Sequence, residues 1–327
     1  MSDRRTVTKE TVRNEASAWP KRTTVSVVVA CYNGASVLPI MLDSLVTQTW
    51  GGPWEVIIAD NGSTDNTRAV AESYADRLPI RCIDASAVQG ISHARNRGVE
   101  ESTGEYLLFF DDDDVMDANY VAAMAQALNE HPYVGGIDRY DVVNPEWLQA
   151  RGNHDNKVEG GLVKSHYLPF VGGGMIGVRR TVFEAVGGFD ERVLRPEDMD
   201  FAWRVKHLLG IKPRAVPNAQ FYCRARSSLW GNAKQQYLLA RGYYRVCWRH
   251  GQDQEVVGEE VGPYAYRWAR KLLVELVRTV RGWGDMLFWI REAAWHAGLV
   301  REAWNLRSDI NTISVDKSLP LPRRVAP

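Results

Sequence analysis

Several things are missing from this chain of 327 residues, and each absence removes a class of function. Charge of one sign is missing: 40 Lys and Arg balance 40 Asp and Glu, so there is no broad positive field of the kind that marks a nucleic-acid binder. Cysteine is scarce, and Cys31, Cys82, Cys223 and Cys247 lie far apart with no CxxC pair, so they read as reduced, buried thiols. No apolar run approaches the roughly 20 residues that cross a bilayer. The N-terminal stretch is polar and lacks a hydrophobic segment, which predicts neither a secretion signal nor an anchor and points to a cytoplasmic protein. The phosphate loop GxxxxGKS/T is absent and no GxGxxG follows the first apolar run, so neither a P-loop NTPase nor a dinucleotide-binding oxidoreductase is supported. His93, His131, His154 and His166 have no metal-ligand spacing and receive no chemistry.

What is present is a globular composition, 45% hydrophobic, long enough for a sizeable core. Between Thr24 and Phe110, short apolar runs alternate with amphipathic ones. "VSVVVA" (25–30), "WEVIIA" (54–59), "IRCID" (80–84) and "YLLFF" (106–110) are rich in β-branched residues without clean alternation, which suits strands buried on both faces of a parallel sheet. Helices are expected from near Ser36, Ser63 and Ser92, with each serine as N-cap. In such open sheets ligands bind outside the carboxyl ends of the strands. "ACYNG" (30–34), "DNGSTD" (60–65) and "DDDD" (111–114) therefore share one edge and face a ligand crevice.

Four consecutive aspartates repel one another unless a cation, a helix N-terminus or solvent absorbs the charge. Carboxylates at a strand end suit a hard divalent cation, Mg²⁺ or Mn²⁺, which commonly bridges protein oxygens to substrate phosphate. Alternatively Asp114 caps the following helix and the other three are solvated.

The residues also carry a resemblance. "VSVVVACYNGASVLPIMLDSLVTQT", "EVIIADNGSTDNT", "GISHARNRGVEESTGEYLLFFDDDD", "GGFDE" and "RPEDMDFAWRV", in that order, resemble the successive blocks of family 2 inverting glycosyltransferases over roughly residues 24 to 228. The resemblance implies an α/β chain with the GT-A fold, a mostly parallel central sheet flanked by helices. It implies Ala30, Tyr32 and Asn33 at the nucleotide base, Tyr32 by stacking, and Asp60 with Asn61 at the base edge. The family usually has Asp-Asp at the latter pair. The amide oxygen of Asn61 would then accept from uracil N3–H, which leaves a UDP-sugar and a dTDP-sugar equally reasonable as donor. The family's DxD motif maps to Asp111, Asp112 and Asp113, with Asp113 as first metal ligand, Asp111 supporting it and Asp112 reaching ribose or metal. Gly90, Arg95 and Asn96 match the family block that leads to the DxD strand, which implies Gly90 and Arg95 in donor binding, Arg95 at the diphosphate or else in a surface ion pair. Asp198 matches the family's base, or else caps the helix that "MDFAWRVKHLL" predicts, and Glu197 would bind the acceptor beside Gly173 and Gly174. Some relatives add a downstream His ligand. "FYCRARSS" (221–228) has none, and Cys223 is a poor substitute for a hard cation, while Arg224 and Arg226 would hold phosphate.

The resulting expectation is a glycosyltransferase moving a sugar from a nucleotide-diphospho-sugar to a hydroxyl of a glycan or lipid-linked acceptor. A nucleotidyltransferase and a non-catalytic sugar- or lipid-binding scaffold are the rivals. The expected organisation is a polar tail (1–23), a catalytic domain (24–228), a helical region (229–310) and a flexible tail (311–327). Seven of the 12 tryptophans follow Leu229, and residues 264–307 carry 8 Lys and Arg against 4 Asp and Glu. Such helices either lie on an anionic membrane, as a peripheral contact at its inner face, or pack their tryptophans onto the catalytic domain.

Overall fold

A computed structural model describes residues 23–144, 161–193, 195–224, 228–258, 260–279 and 283–309. The expected tails, residues 145–160 with His154, and Arg226 lie outside the described residues. The chain divides into two compact units, the first running to Arg224 and the second holding the helices from Ala225 onward.

The first unit is built on an eight-stranded sheet. Its strands are β1 (Val25–Cys31), β2 (Trp54–Asp60), β3 (Ile80–Asp84), β4 (Tyr106–Asp111), β5 (Val115–Met116), β6 (Tyr133–Arg139), β7 (Ile176–Arg179) and β8 (Arg214–Tyr222), in spatial order β3-β2-β1-β4-β7-β6-β8-β5. The β3-β2-β1-β4 half is parallel, and its registers set Ala30 opposite both Ala59 and Asp111, and Cys31 opposite Asp60. Val25, Val27, Val28 and Val29 of β1 and Leu107 to Phe110 of β4 are fully buried, as strands covered on both faces require. The other half is mixed: β7 runs antiparallel to β4 and β6, β6 is parallel to β8, and β5 is antiparallel to β8. Asp111 thus ends β4 and Asp112 to Asp114 form the tight connection to β5, not the start of a helix.

Helices α1 (Leu38–Val46), α2 (Thr67–Glu72), α3 (Ile91–Glu100), α4 (Tyr120–Glu130), α5 (Arg180–Ala185) and α6 (Glu197–Leu209) flank the sheet. None of the three expected serine caps forms: the N-cap residues are Val37, Asn66 and Gly90, without side-chain cap bonds. The hydroxyls of two of these serines serve longer-range contacts. Ser63 Oγ accepts from the Asn33 N–H at 2.9 Å, and Ser92 Oγ donates to the Val193 carbonyl at 3.2 Å. Asp114 caps no helix either, since α4 begins after Asn119.

The second unit comprises α7 (Leu229–Arg249), α8 (Asp253–Val257), α9 (Val261–Thr279) and α10 (Trp283–Asp309). Ala240, Tyr244, Val257, Val261, Tyr264, Leu299 and Ala303 form its own core, with Trp248, Trp268 and Trp295 packed against it. Within this unit, Glu302 is fully buried and accepts from Arg241 Nε at 2.6 Å and from Arg245. None of the four cysteines is in a disulfide. Cys31 and Cys247 are buried as expected, whereas Cys82 and Cys223 are only half-buried.

Candidate active site

The parallel half of the sheet brings the ends of β1, β2 and β4 side by side, and the loops that leave them are stitched together by side chains. Asn33, whose φ of 53° is left-handed, accepts the Thr64 N–H at 2.8 Å. The Gly34 N–H donates to Thr67 Oγ1 at 2.9 Å, and the Ala35 N–H to Asp65 Oδ2 at 3.1 Å. Tyr32 is 54% exposed at this edge, with its ring open to solvent. Asp60 is buried and accepts the Ser63 N–H at 2.9 Å.

Asn61, expected at the base edge, has partners within the chain. Its Nδ2 donates to the carbonyls of Ala85 at 2.6 Å and Val88 at 2.8 Å, and its Oδ1 already accepts the N–H of Gly90, a glycine with a φ of 152°, at 2.8 Å. The side chain is buried and ties down the 85–90 loop. The pattern also explains the amide, because a carboxylate has no N–H for two carbonyls. Asn61→Asp is therefore expected to destabilise the fold by about 1–3 kcal/mol, the cost of leaving buried carbonyls without donors, measured by urea unfolding.

The four aspartates have four different environments, which is how the chain tolerates them together. Asp111 accepts from Arg95 Nη2 at 2.7 Å. Asp112 accepts from the Cys31 thiol at 3.0 Å, and desolvation, with repulsion from Asp113 and Asp111, pushes its pKa up to about 6. Asp113 is exposed. Asp114 is buried, and burial holds its carboxyl well above the ordinary range.

Arg95 is neither at the surface nor idle. It is fully buried on α3, which sits so close to β1 that a Cβ on Gly98 would overlap Val28. Its Nη1 donates to Glu197 Oε1 at 2.6 Å while Nη2 holds Asp111, so one guanidinium joins the tip of β4 to the first turn of α6. Two terminal nitrogens committed to carboxylates fit a positioning role better than a direct hold on a diphosphate. The glycine run covers this bridge. A Cβ on Gly173 would sit 2.7 Å from Arg95 Nη1, and one on Gly174 would sit 3.0 Å from Asp111 Oδ2 and 2.9 Å from Asp114 Oδ2.

Asp198 stands in the first turn of α6, not at its cap, which is Pro196. It accepts the Met199 N–H at 2.7 Å. Desolvation, reinforced by Glu197, pushes its pKa up to about 7, while backbone N–H groups and Arg95 restrain the shift. α6 is fixed to the rest of the unit by Arg204, which pairs with the buried Asp200 at 2.7 Å and donates to the carbonyls of Val186 and Gly188. The "GGFDE" block is held from α3, where Asn96 bonds Phe189 through both its amide atoms and His93 Nδ1 meets Glu191 at 3.0 Å. In the sequence Cys31 reads only as a buried thiol, His93 carries no chemistry, and Asn96 belongs only to the block that leads to the DxD strand. The placing of "ACYNG" (30–34) and "DDDD" (111–114) on one edge is the signal that links Cys31 to this site.

Among the described residues no three His, Cys, Asp or Glu side chains are gathered to hold a metal by themselves. The donor set nonetheless fits a hard cation. Asp111 and Asp113 offer oxygens beside two further carboxylates, and a Mg²⁺-like ion needs only one or two carboxylates when substrate phosphate and water complete its shell. Cys223 lies near Asp114 with its thiol pushed up by burial, and Arg224 is exposed.

Residues 26–187 match the family described as Glycosyl transferase family 2. The chain belongs to that family. Among curated members, the uncharacterised glycosyltransferase YibD of Escherichia coli is 40% identical over 107 residues, 32% of this chain and 31% of that one. The PGL/p-HBAD biosynthesis glycosyltransferase of Mycobacterium tuberculosis is 40% identical over 108 residues, 32% of this chain and 42% of that one. The match thus spans well under half the length of either relative. The fold of this family 2 chain is also that of a solved mannosyltransferase from Pyrobaculum calidifontis in complex with GDP-Man and Mn²⁺, at a TM-score of 0.63 and 17% identity, covering 89% of this chain and 92% of that one. The GT-A architecture expected from the sequence is therefore present, with a sheet mixed in its second half.

Proposed function

We propose that this chain is an inverting, metal-assisted glycosyltransferase that moves a sugar from a nucleotide-diphospho-sugar to a hydroxyl of a glycan or lipid-linked acceptor. The observation that carries the reading is the Asp111–Arg95–Glu197 bridge, with Asp198 beside it poised near neutrality. Inversion requires the acceptor hydroxyl to attack the anomeric carbon from the face opposite the leaving diphosphate, with a base within reach of its proton. Asp198 takes that proton; a carboxylate whose pKa is raised toward 7 holds it better than an ordinary one while still being ionised in a large fraction of molecules. Glu197, fixed by Arg95, lines the acceptor side with Gly173 and Gly174. Tyr32 stacks on the base, and Ala30, Asn33, Asp60 and Gly90 shape the crevice around the nucleotide. Asp113 and Asp111 hold a Mg²⁺ or Mn²⁺, which when bound supplies neutralising charge to the leaving diphosphate.

The neighbouring structures argue against reading the base from the fold. The Pyrobaculum enzyme was solved with GDP-Man and the Staphylococcus aureus TarS 1-349 chain, at a TM-score of 0.50, with UDP. A thermal-shift screen of UDP-, dTDP- and GDP-sugars, each with Mn²⁺ and with EDTA, tests the proposal. One nucleotide class should stabilise the protein in a metal-dependent way, by about 2.7 kcal/mol at a hundredfold excess over Kd. No shift with any of them would overturn the donor site.

A further inference from the structure

The helical unit carries a surface that its own packing leaves unexplained. On α9, Val261 and Tyr264 enter the unit's core, and Trp268 stacks on His296 with ring centroids 3.4 Å apart. The opposite side is not polar, as the outer face of a soluble helix would be. Tyr266 is 70% exposed and Leu273 63% exposed, one helical face apart at seven residues, with exposed Val274 beside them. Arg267 and Arg270 are exposed on the same helix, between these apolar residues. Over its whole length α9 has four basic residues, Arg267, Arg270, Lys271 and Arg278, against one acid, Glu275.

We propose that this face of α9 lies on an anionic lipid bilayer, its apolar side chains entering the headgroup boundary and its arginines meeting lipid phosphates. Charge complementarity selects this occupant. A second copy meeting face to face would set the same cations against one another, and basic residues flanking an outward apolar stripe are the pattern of helices that lie in the membrane interface. Among the described residues no helix is long and apolar enough to cross a membrane, so the contact is a surface one. The inference rests on the helical unit alone and stands or falls separately from the transferase reading.

Co-sedimentation of the full chain with vesicles of phosphatidylcholine alone, and of phosphatidylcholine with about 30% phosphatidylglycerol, tests it. Binding is expected to the anionic vesicles only, and to weaken as salt is raised. The pairs R267E/R270E and Y266S/L273S are each expected to lower it by about tenfold or more, with helical circular dichroism and the unfolding midpoint retained. Should charge reversal disturb folding, R267Q/R270Q carries the same expectation. Absence of vesicle binding, equal binding to both compositions, or binding untouched by these variants would overturn the proposal. So would a dimer in analytical ultracentrifugation that Y266S/L273S dissociates, since a second copy would then be the occupant.

Discussion

Asp198→Asn is expected to lower the rate of sugar transfer by about 10²–10⁴, the span that a positioned general base contributes, while leaving the Kd for the nucleotide-sugar unchanged. Asparagine keeps an oxygen to accept the Met199 N–H and so keeps the start of α6, but it cannot take the acceptor's proton. The pH profile separates a base from a binding residue. Because burial raises the Asp198 pKa to about 7, the unmodified protein should gain activity as pH rises through about 7, and the residual activity of the variant should lose that step. Stability should move the other way. A carboxyl with a folded-state pKa above its unfolded value favours the native state while protonated, and that advantage is lost as pH rises from about 4 through about 7. The variant, which never ionises, should therefore be the more stable of the two above about pH 7, as measured by urea unfolding. Transfer retained at the original rate, or a profile whose step survives, would remove Asp198 from the base role.

The parallel half of the sheet was legible because its strands are buried on both faces, so their apolar runs are unbroken and the crossover helices between them show clearly. The other half was not. β7 is four residues long, β5 two, and β8 contains Pro217 and Asn218, so none presents a run that stands out from a loop. Serine at helix starts misled for a physical reason: a hydroxyl that can cap can equally bond a neighbouring loop, and spatial proximity decides between the two. At the site, the residue types at the strand ends pointed to one crevice, whereas their partners did not. Arg95 lies 16 residues from Asp111 and 102 from Glu197, and only the folded chain shows that it joins them. Asn61 is the converse case, in which a departure from the family's usual acid signals a structural job for the amide.

The bridge leads to the second large effect. Arg95→Met is expected to destabilise the first unit by about 3–5 kcal/mol, because Glu197 and Asp111 would be left as carboxylates without their cation, Glu197 in a buried position. It should also abolish transfer, since the first turn of α6 would lose its tie to the tip of β4. Loss of activity through unfolding alone would mimic this, and Arg95→Lys distinguishes the two. Lysine preserves the charge, yet its single ammonium cannot copy a planar fork whose two terminal nitrogens grip carboxylates on different elements. The expected result is a folded protein with a cooperative unfolding transition and a transfer rate well below the original. A lysine variant as active as the original would show that charge suffices and geometry does not. The stability cost has its own control. Where Arg95→Met and Glu197→Gln are combined, the loss should be smaller than the sum of the single losses, because the glutamine removes the charge that the methionine strands. Additive losses would mean that Arg95 and Glu197, 2.6 Å apart, do not act as a pair, and the link from base to strand end would have to run through Gly173 and the backbone.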